Sequence, residues 1–175
     1  MDNYLLYRAD PQAQELCKKL GFTKNLFIGS ELTLLSAKTE KELLKAVGEA
    51  HQKKLITIYR PSSEDMLRFA LEKSDVDVVL GMEQLHPKDS MHYVKSGLDQ
   101  VLCKIAADND KVIGFSFTDI LENSGRAKLL ARIMFNIRLC KKYKVKIIFS
   151  NFSTELWQMR SAKDLDAVFR VLSGV

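Results

Sequence analysis

The sequence predicts an α/β fold, and within that class a TIM-like (β/α) barrel, incomplete or shortened, forming one domain over residues 1–175. Three observations lead there. Short apolar runs alternate with longer amphipathic ones through the whole chain, the rhythm of βα units around a parallel sheet. The short runs are nearly continuous in apolar residues, as strands covered on both faces must be. Capping residues fall between them. Six or seven βα steps favour a barrel over an open doubly wound sheet, in a chain shorter than the usual eight-unit barrel.

In chain order, the first strand is expected at Leu5 to Tyr7, and Asp10 before Pro11 starts a helix over 11–20. Strands at Leu26 to Ile28 and Thr33 to Leu35 follow. Thr39 with Glu42 three residues on marks a helix over 39–54. A strand at Leu55 to Tyr59 precedes a helix over 62–73, capped by Ser62 with Asp65. The strand Val76 to Leu80 leads toward a helix over 97–108, capped by Ser96 with Asp99. Val112 to Phe117 is the next strand, Gly125 precedes a long helix over 125–144, Val145 to Ser150 is the last strand, and a helix over 162–172 ends the pattern.

Composition narrows the function classes. Three prolines, eight glycines and no biased tract argue against a disordered tail. The opening Met-Asp-Asn-Tyr-Leu-Leu-Tyr-Arg lacks a basic stretch followed by a long apolar run, and no window approaches eighteen uncharged apolar residues, so a cytoplasmic protein without membrane contact is expected. Cys17, Cys103 and Cys140 are too far apart for a zinc pair and are read as small buried apolar residues. The net charge of +5 is unevenly laid out. Lys and Arg number 13 against 14 Asp and Glu in residues 1–94, but 13 against 6 in residues 95–163. A clustered positive field suits a polyanion, because neutralising phosphates releases condensed counterions.

Three segments within the basic block are candidates for chemistry. The helix after Gly125 carries an apolar stripe of Leu130, Ile133, Met134, Ile137 and Cys140, with Lys128, Arg132, Arg138 and Lys142 on the opposite face. No acidic residue occurs between Glu122 and Glu155, so that face lacks the i,i+4 pairs of an ordinary solvated helix. Phe135 falls on it and could stack on a base, meet a protein or touch a neighbouring helix. Second, Ser96 as a cap would put free N–H groups beside His92 and Lys95, a phosphate seat, or simply an ordinary capped helix. Third, the run from Ser150 to Arg160 and then Lys163 leaves the last strand where barrel loops gather function; Trp157 either stacks on RNA or seals the barrel end.

An enzyme site is harder to find. His51, His86 and His92 form no HxH or HExxH pair, and no GxSxG or GxGxxG loop is present. Glu83, Asp119 and Glu155 could sit near a barrel rim, which is common without catalysis.

Ordered motifs then identify a resemblance. Tyr93-Val94-Lys95-Ser96-Gly97-Leu98-Asp99-Gln100-Val101-Leu102-Cys103-Lys104-Ile105-Ala106, Ile113-Gly114-Phe115-Ser116, Arg126-Ala127-Lys128-Leu129-Leu130 and Lys142-Tyr143-Lys144-Val145 resemble the ribonuclease P protein component 3 family. This is the archaeal counterpart of the barrel-like subunit of eukaryotic ribonuclease P and MRP. The likeness is good over residues 76–172 and only rhythmic before that. The family's first strand carries an acidic residue before its Arg, whereas Leu6 and Tyr7 precede Arg8 here. Relatives continue into a further helix past Ser173-Gly174-Val175, hence the expectation of a shortened barrel.

The resemblance implies a fold related to the polymerase and histidinol phosphatase barrels without their metal-binding histidines. It implies no catalytic residue, no metal and no cofactor held by the protein, with Mg²⁺ expected in the RNA of the holoenzyme. It implies an RNA-binding subunit of the tRNA 5′-processing endonuclease, partnered by ribonuclease P RNA, protein component 2, other protein subunits and precursor tRNA. Matching positions make His92, Lys95, Arg126, Arg160 and Lys163 RNA contacts; Lys128, Arg132, Arg138 and Lys142 are added from charge geometry. The alternative is a metal-dependent phosphoesterase of the same barrel superfamily, and a degenerate barrel acting as a protein scaffold is a third reading.

Overall fold

The computed structural model describes residues 2–174; Met1 and Val175, the ends of the expected domain, lie outside the described residues. Strands and helices alternate as β1 (Asp2–Leu5), α1 (Pro11–Lys19), β2 (Lys24–Phe27), β3 (Leu32–Leu35), α2 (Glu40–Gln52), β4 (Ile56–Tyr59), α3 (Glu64–Glu72), β5 (Val78–Leu80), α4 (Gln100–Asp108), β6 (Val112–Ser116), α5 (Phe117–Glu122), α6 (Arg126–Tyr143), β7 (Lys146–Ser150) and α7 (Ala162–Ser173). All strand pairing is parallel, in a two-stranded sheet β1-β2 and a five-stranded sheet β3-β4-β5-β6-β7. The result is a mixed α/β molecule built on parallel strands. Among the described residues no helix is long and apolar enough to cross a membrane.

Every expected strand has a counterpart, and the differences have local causes. β1 lies three residues earlier than Leu5 to Tyr7 because its inward residues are Asn3 and Leu5. Asn3 is buried although polar: Asn151 Nδ2 donates to its Oδ1 at 2.9 Å, so hydropathy alone hides the strand. The third helix is capped by Ser63, not Ser62, with the Ser63 hydroxyl accepting from Met66 N at 3.2 Å. α4 begins at Gln100, not 97: Asp99 is its cap, accepting from Leu102 N at 2.7 Å. Phe117 ends no strand but begins α5, because the Ser116 hydroxyl accepts from Asp119 N at 3.1 Å and turns the chain into a helix.

The principal core lies between the five-stranded sheet and its helices, around Tyr59, Leu67, Phe115, Ile133 and Leu165. A smaller cluster fills the sheet's other face with Leu26, Leu32, Ile58, Val78, Leu80 and Phe152. Phe152 reaches it from beyond β7 with φ +46°, a left-handed backbone that a bulky residue adopts only when its surroundings over-determine it. Gly114 makes room: a Cβ there would lie 3.0 Å from Val78 Cγ1 and 3.4 Å from Phe152 Cζ. Cys17, Cys103 and Cys140 are buried and free, as expected of small apolar residues.

The two sheets meet at two places. Leu5 makes a parallel bridge to Ser153, with Leu6 N donating to Ser153 O at 2.7 Å, and Tyr4 N donates to Ser150 Oγ at 2.9 Å. At the other side Ile28 bridges Leu32.

Candidate nucleic-acid interface

The 18-residue α6 dominates the basic block, and its cations divide by where they sit. At its first residue, Arg126 turns back: Nε donates to Ile120 O at 2.9 Å and Nη2 to Leu121 O at 2.7 Å, closing the end of α5. Lys128 Nζ donates to Pro87 O at 2.7 Å and lies 4.0 Å from Asp89.

Arg132 corrects the helical-wheel expectation. Only 4% exposed, it does not share the solvent-facing side with Arg138 and Lys142. Its Nη1 donates to Glu83 O at 2.9 Å and His86 O at 2.7 Å, while Nε and Nη2 hold Asp89 Oδ1 at 2.9 and 2.6 Å. Residues 82–96 lie along this flank and bury it: Asn136, one turn on, is also buried and donates to Ser96 O at 2.8 Å. These hydrogen bonds from Arg132, with one from Lys95 N, hold the Asp89 carboxyl below its ordinary pKa.

Arg138 and Lys142 are exposed, the latter with Nζ 5.5 Å above the Tyr143 ring. Phe135, on the same side, is 40% exposed. Lys163 is exposed in the first turn of α7, a helix capped reciprocally by Ser161 and Asp164. Arg160 Nη1 is turned inward onto Trp157 O at 3.0 Å and Met159 O at 2.8 Å. Trp157 does not seal the strand ends: it is 63% exposed, and Nε1 donates to Glu155 Oε2 at 2.5 Å.

The expected phosphate seat beside Ser96 is overturned. Ser96 is buried and its hydroxyl donates to Leu98 O at 3.4 Å, while α4 starts four residues later under the Asp99 carboxylate. His92 is exposed and Lys95 half-buried on an irregular segment, with no helix N-terminus between them.

Beyond the carboxyl ends of β4, β5 and β6 lies a cluster that sequence reading assembled only in part. Arg60 grips Asp119 through two contacts of 2.9 Å, and Gln84 Nε2 donates to the same carboxylate at 2.8 Å. Glu83 is fully buried beside it, neither carboxyl oxygen has a hydrogen-bond partner, and burial pushes its pKa up to about 7. Arg60 and Asp89 went unnoticed in the sequence; a cation directly after a strand and a lone acid facing a cationic helix were the available signals. Among the described residues no three His, Cys, Asp or Glu side chains converge as a metal site would require.

No protein-family model matches the chain. It is 29% identical over 133 residues to ribonuclease P protein component 3 of Methanococcus maripaludis, covering 75% of this chain and 54% of that protein. It is 31% identical over 127 residues to the same-named protein of Methanosarcina barkeri, covering 71% and 50%. The chain thus spans about half the length of the curated relatives it matches. In three dimensions it overlays a chain of an archaeal ribonuclease P with mature tRNA, determined by cryo-EM, with a TM-score of 0.67 at 21% identity, covering 98% of this chain and 74% of that one. A crystal structure of an amidohydrolase overlays with a TM-score of 0.55 at 15% identity, covering 95% and 42%; both overlays speak to fold alone. Across the matched three-quarters of its length, the chain is similar to ribonuclease P protein component 3.

Proposed function

We propose that the chain acts as a protein subunit of ribonuclease P, binding and stabilising the catalytic RNA and supporting removal of the 5′ leader from precursor tRNA in the cytoplasm. The sequence similarity to component 3 carries this reading. Hydrolysis belongs to Mg²⁺ held by the RNA, and the protein's part is to screen phosphate charge and hold the RNA fold. Component 2 and further protein subunits complete the assembly.

In this reading the two parallel sheets are parts of one shortened TIM-like barrel and a single domain, related to the polymerase and histidinol phosphatase fold. The Leu5–Ser153 and Ile28–Leu32 bridges support that closure. RNA is met by the exposed cations Arg138, Lys142 and Lys163 and by His92 and Lys95. Arg126, Lys128 and Arg160 retain donors beyond their carbonyl contacts and flank these. Arg132 is too deeply buried to touch RNA and positions the 82–96 segment instead.

Reconstitution tests the function. Archaeal ribonuclease P RNA with component 2 is expected to cleave precursor tRNA faster, and at lower Mg²⁺, when this chain is added. RNA affinity should fall steeply with salt, and the Arg138→Ala/Lys142→Ala/Lys163→Ala variant should flatten that dependence. Unaltered affinity in that variant would defeat the site assignment.

A further inference from the structure

A second surface has opposite chemistry to the cationic one. The first turn of α3, residues 93–99, the start of α4 and the solvent side of α6 enclose a groove of about 790 Å³. Tyr93, Val94, Val101 and Phe135 line it at 63%, 40%, 49% and 40% exposure, joined by half-buried Leu139. Met91, 93% exposed, lies two residues before Tyr93. Single exposed apolar residues are ordinary; several lining one groove mark a contact surface.

The charges of the groove choose among occupants. Arg68 is taken by Glu72 at 3.1 Å and His86 by Glu64 at 2.7 Å. What remains is Asp65 and Asp99 against Lys95, an acidic excess in a chain of net charge +5. Phosphates would be opposed there, while aliphatic and aromatic side chains flanked by carboxylates fit an apolar ridge edged by Lys or Arg.

We infer that this groove docks an amphipathic helix of another protein subunit, apolar on the inserted face and basic along its margin. The inference rests on the ribonuclease P reading and assigns that assembly's protein contact to a groove that shares Lys95, at its edge, with the proposed RNA contacts. Phe135 belongs to this groove as an anchor, with Arg138 and Lys142 beyond it on the same helix left to RNA.

The test uses the whole chain with the purified protein subunits of an archaeal ribonuclease P, mixed one at a time, and separately with ribonuclease P RNA. One subunit should bind, and its addition without RNA should slow amide exchange across residues 93–102. Phe135→Glu and Val101→Glu should each weaken that binding at least tenfold and leave RNA affinity within twofold. Phe135→Ala and Val101→Ser serve if either charged variant loses its fold. Unchanged subunit binding in the variants overturns the inference, as does a selective loss of RNA affinity, which would make the groove an RNA site. A wild-type chain that binds neither RNA nor any subunit defeats the ribonuclease P reading itself.

Discussion

Along α6, cations at the start and cations at the end meet different surroundings. Arg126, Lys128 and Arg132 lie within two turns, and each donates to carbonyls of neighbouring segments. Arg138 and Lys142 lie further on and are exposed, the latter over the Tyr143 ring. The difference is set by what passes alongside: the end of α5 meets Arg126 and residues 82–96 meet Lys128 and Arg132, while in the second half Lys141 reaches Ser173 O at 3.0 Å and Arg138 and Lys142 stay exposed. A basic residue flanked by irregular chain finds backbone acceptors, so positive charge in a sequence measures RNA-binding capacity only after those acceptors are subtracted.

Removing Arg132 should separate the two halves most sharply. Arg132→Ala leaves the Glu83 and His86 carbonyls and Asp89 without their buried partner, and a loss of about 3 kcal/mol is expected in urea unfolding. RNA affinity of the folded fraction should be unchanged. A stable variant with weakened RNA binding would erase the distinction.

Gly97→Ala probes the covering segment from its other end. At φ +86° a Cβ would stand 2.2 Å from Met82 O, so either the segment lifts or the fold loses roughly 2–3 kcal/mol. If it lifts, amides 82–96 should exchange faster and α6 should gain solvent exposure at Arg132.

Glu83, whose carbonyl Arg132 holds, adds a pH signature. Its folded pKa, about 7, is raised above the ordinary carboxyl value of 4.5. Its stabilising contribution is therefore complete below about 4.5 and is lost as pH rises through about 7. Glu83→Gln should stabilise the protein above pH 7 by about 2 kcal/mol and do little at pH 5, as thermal melts at the two values will show. Equal effects at both would mean that the carboxyl reaches water.

The open half should respond least in stability. Arg138→Ala and Lys142→Ala should each change unfolding free energy by under about 0.5 kcal/mol. Each should lower the salt slope of RNA binding by about one.

The βα rhythm was legible because apolar runs and caps are local signals. Asp10 and Thr39 cap where the sequence places them. β1 was displaced because Asn3 is satisfied by Asn151, nearly the whole chain away, and no local pattern carries that pairing. The start of α4 was misread because Ser96 and Asp99 are both competent caps, and Ser96 is drawn inward by Asn136. The free cations of the candidate interface were visible as charge. What the sequence could not distinguish was Arg132 from Arg138, since burial by residues 82–96 is a tertiary fact.

Between β1 and β7 the ladder is thin: beside the Leu5–Ser153 bridge, the Ser150 hydroxyl stands in for a backbone partner, accepting from Tyr4 N and donating to Asp2 O at 3.4 Å. β6, by contrast, is laddered to β7 through five consecutive residue pairs. A seam fastened by one backbone bridge and the side chains of Ser150 and Asn151 is where the molecule should breathe first, its amides trading hydrogen with water long before those of β6. Ser150→Ala should widen that gap in exchange rates, turning a quiet seam into the first door to open on the way to unfolding.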